Sequence, residues 1–161
     1  MGSGGARRGL IALFFVALAS QTQAACLDAS VEVRSGDTVA RFSVEIADTD
    51  DERAQGLMNR QKLAKSAGML FIYDAPKRAG FWMKNTLVPL DMIFADATGQ
   101  VTKVHANAIP MDKTTIDGGQ NVSFVLEING GLAKRLGIVE GSVLRHPAID
   151  QSVAVWACNS E

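Results

Sequence analysis

Cysteine is almost absent from this chain: among 161 residues there are two, Cys26 and Cys158. Structural zinc wants four ligands, so a metal site built on two lone thiols ranks below a disulfide. Positive charge is also in short supply. The formal net charge is −1, and it becomes more negative once Arg7 and Arg8 are set aside with the leader described below. Non-specific nucleic-acid binding needs a clustered basic face, so no nucleic-acid partner is expected. After the leader no apolar run approaches the roughly 20 residues that a spanning helix needs, so no membrane span is expected. Repeats and low-complexity linkers are missing. No serine stands in a G-x-S-x-G elbow, Gly118-Gly119 and Gly130-Gly131 lack phosphate-loop spacing, and no M-x-x-M or H-x-M cluster concentrates metal ligands. Neither a cofactor nor a metal centre is expected.

The N-terminus carries the clearest signal. Arg7 and Arg8 are followed by the apolar run Gly9 to Ala19, and then by small and polar residues up to Ala25. A basic start, a short apolar stretch and a small-residue cleavage point make a secretory signal peptide over residues 1–25. The expected mature protein is a single strand-rich domain over residues 26–161, periplasmic or secreted. In an exported chain an even cysteine pair reads first as a disulfide, here Cys26–Cys158, and domain termini commonly lie close enough to be bridged. The minority alternative is a lipid anchor on Cys26. Gln23-Ala24-Ala25-Cys26 offers the small residues this requires but lacks a leucine-like residue three places before the cysteine, and lipidation orphans Cys158.

Hydrophobic period two dominates the mature region. In Val39 to Ala47, Ala40, Phe42, Val44 and Ile46 oppose Arg41, Ser43 and Glu45. In Val122 to Ile128, Val122, Phe124, Leu126 and Ile128 oppose Ser123 and Glu127. Both read as half-buried strands. Further strands are expected at Val31–Arg34, Met69–Tyr73, Phe81–Lys84, Leu90–Phe94, Val101–Ala106 and Ser142–Arg145, with Met69–Tyr73, apolar on both faces, in a central position. Thr49 with Glu52 three residues on forms a capping box for one short helix. Leu132–Leu136, between Gly131 and Gly137, forms a second. The fold expected is mainly β (α+β), a compact, closed or partly closed small β-barrel with two short helices; closure would remove exposed strand edges.

Unusual chemistry concentrates in Phe81 to Phe94, F-W-M-K-N-T-L-V-P-L-D-M-I-F. Polar groups among bulky apolar residues are costly without partners. In a structural reading, Lys84 and Asp91 pair across a hairpin while Asn85 and Thr86 hold its turn. In a functional reading, Trp82 and Lys84 form an aromatic platform beside a cation at a pocket mouth, with Asn85 and Thr86 supplying directed hydrogen bonds. Arg53, near Leu57 on the first helix, is expected to face the sheet and to need a carboxylate, with Asp91 as its natural partner. Arg60, on the same helix, is expected to be solvated.

Three linked blocks, Glu52-Arg53-Ala54-Gln55-Gly56-Leu57-Met58-Asn59-Arg60, Gly68-Met69-Leu70-Phe71, and Phe81-Trp82-Met83-Lys84-Asn85-Thr86 continuing to Pro89-Leu90-Asp91, resemble the prokaryotic domain-of-unknown-function family 192, whose members are often exported. The resemblance implies a compact strand-rich domain. It implies no reaction and no agreed active site.

The expected function is therefore a non-catalytic binding module for a small polar or anionic ligand or an envelope partner, with Trp82, Lys84, Asn85 and Thr86 at the ligand and Arg53 and Asp91 in support. Two alternatives remain. One is a hydrolase-type enzyme with His105 as general base beside Asp91, which requires the two side chains to share a cleft; Asp91 with Glu127 as a glycosidase pair is a weaker variant. The other is copper handling by Met58, Met69, Met83, Met92, Met111 and His105, although methionine in apolar strands is ordinarily core filler.

Overall fold

The computed structural model describes Met1, Gly2 and residues 26–160; the expected signal peptide falls outside the described residues, apart from its first two. Seven strands and two short helices follow in the order β1 (Ser30–Ser35), β2 (Thr38–Ala47), α1 (Asp50–Gln55), β3 (Ala67–Phe81), β4 (Leu90–Ala95), β5 (Val101–Ala108), β6 (Ile116–Asn129), α2 (Leu132–Leu136) and β7 (Val143–Arg145). The fold is mainly β, a single seven-stranded sheet ordered β5-β4-β6-β3-β2-β1-β7 and curled into a half-barrel. Curling brings its two ends together at one corner. Gln100, just before β5, bridges Val143 of β7. Around that bridge Val101 N–H donates to Ser142 O, and Leu144 N–H to Gly99 O, each at 2.8 Å.

Alternation explains the two cores. Val31, Phe42 and Leu144 from one end of the strand order meet Ile93, Leu126 and Ile128 from the other, which places this cluster inside the curl. The intervening residues of the central strands, Met69, Phe71, Met92, Phe94 and Val125, point the opposite way into a second cluster with Leu57 and Met83. Both faces of the sheet centre are therefore buried. β3 lies fourth of seven, the central place its two-sided hydrophobicity implies.

Most strand pairs are antiparallel, but β2 and β3 run parallel, and a parallel pair requires a crossover. That crossover is the segment 48–66, which contains α1. Thr49 caps α1 as expected: its hydroxyl accepts from Glu52 N–H while the Glu52 carboxylate reaches back to the Thr49 N–H.

Two expectations are corrected. Val122–Ile128 is not half-buried, because the crossover and the segment following β3 cover the face that carries Ser123, Val125 and Glu127. Phe81–Lys84 is not a strand; β3 ends at Phe81. It is extended instead at its polar end, where Lys77, Ala79 and Gly80 pair with β6 through register shifts. Beyond Phe81 the chain turns: Met83 N–H donates to Asp112 O at 2.8 Å, and Thr86 N–H to Met83 O at 3.1 Å.

Cys26 and Cys158 form a disulfide with their Cα atoms 5.4 Å apart. The sulfur that a lipid anchor would need is thereby occupied. The C-terminal segment is held further by Trp156, whose ring lies beneath the guanidinium groups of Arg34 and Arg145 at 4.5 and 4.1 Å. Arg145 also bonds Glu32, where burial raises the carboxyl pKa but the Arg41 and Arg145 guanidinium groups more than offset it. His146 is buried beside them. Its Nδ1 accepts from Ala148 N–H, so Nε2 carries the proton donated to Asp28 O at 2.8 Å.

Candidate functional site

The segment after β3 and the end of the crossover are tied to each other. Asn85 adopts φ 55° and Asn59 φ 61°. The Asn59 N–H donates to Asn85 O at 2.7 Å, and Met111 N–H to Thr86 O at 3.1 Å. Gly56 ends α1 at φ 49°, where a Cβ would meet the Phe71 ring edge at 3.4 Å. Two distant sequence blocks thus form one wall above the outer face of the sheet.

Beneath this wall lies a cavity of about 90 Å³, partly open to solvent and lined by Arg53, Leu57, Tyr73, Trp82, Thr86 and Glu127 among others. Trp82 is 49% exposed, and Lys84 Nζ lies 5.1 Å from its ring centroid. Among the described residues Lys84 forms no ion pair, so its pairing with Asp91 is not what the structure holds. Thr86 is buried and its hydroxyl donates to Lys84 O at 3.3 Å.

Arg53 faces the sheet, as expected, but finds other partners. Its guanidinium donates to the Asp48 carbonyl, to Ile72 O at 2.8 Å and to Asp50 at 2.7 Å, and it lies 5.5 Å from the Tyr73 ring centroid. The expected Arg53–Asp91 pair is corrected, because Asp91 is saturated from another side. Fully buried, its carboxylate accepts from Asn107 N–H and Gly131 N–H at 2.8 Å and from Ala133 N–H at 2.7 Å. Gly131 precedes α2 with no side-chain cap of its own, so Asp91 caps that helix from a neighbouring strand. It supports the fold rather than the loop bearing Trp82. Arg60 is not simply solvated but chelates Glu45, with one contact at 2.6 Å.

Glu127 is the residue that sequence reasoning placed on the solvent side. It lies in register with Met69 of β3 and Met92 of β4, is 4% exposed, and lines the cavity. Among the described residues its carboxyl takes part in no hydrogen bond or ion pair. Burial pushes its pKa up to about 8, so it keeps its proton at neutral pH. Tyr73 beside it is also raised, by burial first, with Glu127 adding and Arg53 opposing. One signal was available: Val125 shares the supposedly polar face of β6, and an apolar residue there marks a face that is covered.

The constellations built on His105, Asp91 and Glu127 come apart. Met92 is in register with both His105 and Glu127, while Asp91 is in register with Ile128. Successive strand residues point to opposite faces, so Asp91 shares a face with neither His105 nor Glu127, and neither the His105–Asp91 nor the Asp91–Glu127 arrangement converges. His105 lines a separate hollow with Met83, Lys103, Asp112 and Asp117. Met69, Met83 and Met92 pack among phenylalanines, Met111 is exposed, and Met58 lies at the Glu127 cavity.

The model of the DUF192 family, described as an uncharacterized ACR, matches residues 31–146. The chain belongs to the DUF192 family. Two solved structures resemble this DUF192 protein closely. A protein of unknown function from Novosphingobium aromaticivorans DSM 12444 is 43% identical, with a TM-score of 0.70 over 71% of this chain and 82% of that one. A protein from Sinorhizobium meliloti 1021, described provisionally as a transcription regulator, is 36% identical, with a TM-score of 0.71 over 74% and 94% of the two chains. No curated protein matches. The blocks E-R-x-x-G-L-M-x-R and F-W-M-K-N-T, through which the sequence resembles DUF192, are the two segments that build the wall of the cavity.

Proposed function

We propose that this protein is an exported binding module for a small polar ligand, received in the cavity between the α1 crossover and the outer face of β3 and β6. The reading is carried by one observation: a buried, unpartnered carboxyl, Glu127, at a solvent-connected hollow whose rim is a half-exposed tryptophan. Among the described residues no protein group pairs with this carboxyl, and it lines the hollow, so a ligand that enters can supply the hydrogen bond the protein does not. Trp82 stacks on the ligand, Lys84 adds charge at the mouth, Thr86 and Asn85 direct hydrogen bonds, and Arg53 braces the rim. A hollow of this size admits a small molecule's polar end, which favours a small ligand over an envelope partner. Export rests on the N-terminal leader pattern and on the disulfide, which fits an oxidising compartment. The role named in the S. meliloti protein's description would call for a clustered basic face, and the chain's net charge of −1 speaks against it.

Two-dimensional 1H–15N NMR tests this directly, because the two indole N–H groups separate the site from the rest. Screening sugars, amino acids and organic acids should yield compounds that move the Trp82 indole and the amides of residues 53–58 and 127 while leaving the buried Trp156 indole in place. Lys84→Ala should weaken those hits with little change in melting temperature. If hits instead cluster on residues 103–117, or no compound moves the Trp82 indole, the assignment is wrong.

A further inference from the structure

The cavity has a polarity of its own. At its floor Glu127, between Met69 and Met92, has no partner among the described residues. The charged and titratable groups in and around the hollow come from three places. Arg53, bonded to Asp50, comes from α1; Tyr73, with Lys77 Nζ 4.9 Å from its ring and Asp74 close to Arg53, comes from β3; Lys84, on the Trp82 ring, comes from the segment after β3. β4 contributes only the thioether of Met92. An ammonium ligand would seek the faces of Trp82 and Tyr73, where Lys84 on one face of the indole and Arg53 and Lys77 on the phenol ring would repel a second positive charge. A carboxyl that keeps its proton offers one donor, and what it lacks is an acceptor.

Resting on the binding reading above, we infer that the ligand is a small organic acid whose carboxylate head accepts a hydrogen bond from the Glu127 carboxyl, beneath the cationic rim of Arg53 and Lys84. The cavity's 90 Å³ is roughly three water molecules' share of liquid volume, room for a carboxylate with one or two carbons while the rest of the ligand lies under Trp82. Binding is then coupled to a proton. The anion favours the form of Glu127 that holds it, so by reciprocity it raises the Glu127 titration midpoint, and its affinity falls as the carboxyl ionises.

The test uses propionate with propylammonium and glucose as cationic and neutral counterparts, added to the whole purified protein. The Trp82 indole reports binding, and the 13C signal of the Glu127 carboxyl reports its titration. Propionate should bind, raise the Glu127 midpoint, and lose affinity by at least about tenfold between pH 7 and pH 9.5. Glu127→Gln, which keeps a donor at the floor, should still bind propionate but with a flat pH profile; the wild-type profile stands as a test whether or not that variant folds. Should propylammonium bind and lower the midpoint, or glucose bind with no proton linkage, the acid assignment falls and the binding site stands. Silence of all three probes at Trp82 overturns the acid assignment, and the broader screen then judges the site itself.

Discussion

Asp91 and Glu127 show how little residue type alone determines role. Both are acids at the centre of the sheet, one register position apart on adjoining strands, and both are almost wholly shielded from water. Asp91 points to the inner face and collects three backbone donors; Glu127 points outward and collects none. Hydrogen bonds to a charged group contribute about 1.5–3 kcal/mol each. Asp91→Ala, which strands three donors and uncaps α2, should therefore lower unfolding free energy in urea by about 4 kcal/mol. Glu127 acts in the reverse sense. Its folded pKa, about 8, lies above its ordinary value of 4.5, so between those values the unfolded chain releases a proton that the folded one retains. The contribution is fully present below about pH 4.5 and is lost as pH rises to 8, with a slope approaching about 1.4 kcal/mol per pH unit. Glu127→Gln should flatten that part of a pH series of denaturation curves. A slope unchanged in the variant would show that the carboxyl is already ionised. Alternation in 122–128 made Glu127 visible as a polar position but not as a buried one, since period two reports which residues share a face and not what covers it.

At the level of elements, short-range rules place the helices. Both helices form where the capping box and the flanking glycines place them, because these are contacts within a few residues. Thr49→Ala removes the cap of α1 and should cost about 1 kcal/mol in thermal unfolding. The strand expected at Phe81–Lys84 does not form for a physical reason: an extended dipeptide pattern looks the same whether its backbone groups pair with a strand or with a turn. Here they go to Asp112 O and Met83 O, and Asn85 in the left-handed region redirects the chain. Asn85→Ala should cost about 1–2 kcal/mol for that conformation, whereas Asn85→Gly should fold at least as well. Equal melting temperatures for the two would show that the turn carries no strain.

Across the whole molecule, the β-rich half-barrel and the Cys26–Cys158 bridge were both legible, the former from repeated alternation and the latter from two cysteines far apart in the sequence. Strand order was not, because the parallel β2–β3 neighbours and the corner between Gln100 and Val143 are set by long-range packing. The disulfide links positions separated by 132 residues. On the chain-entropy account a closed loop of that size stabilises by roughly 4–5 kcal/mol. A Cys26→Ser, Cys158→Ser double variant should lose up to about that much, while a loss near zero would mean that Trp156 and the Glu32–Arg145 contact suffice to hold the C-terminal segment.

The parallel pairing has a bearing on diversification. Neighbouring strands that run in the same direction cannot be joined by a tight hairpin, so any chain with this topology must carry a long excursion over the outer surface of the sheet. That excursion is where Arg53, Leu57 and Met58 sit. Connectivity that the architecture demands on its own account therefore also roofs the recess, and edits to this roof can retune what enters while the strands beneath keep their pairing.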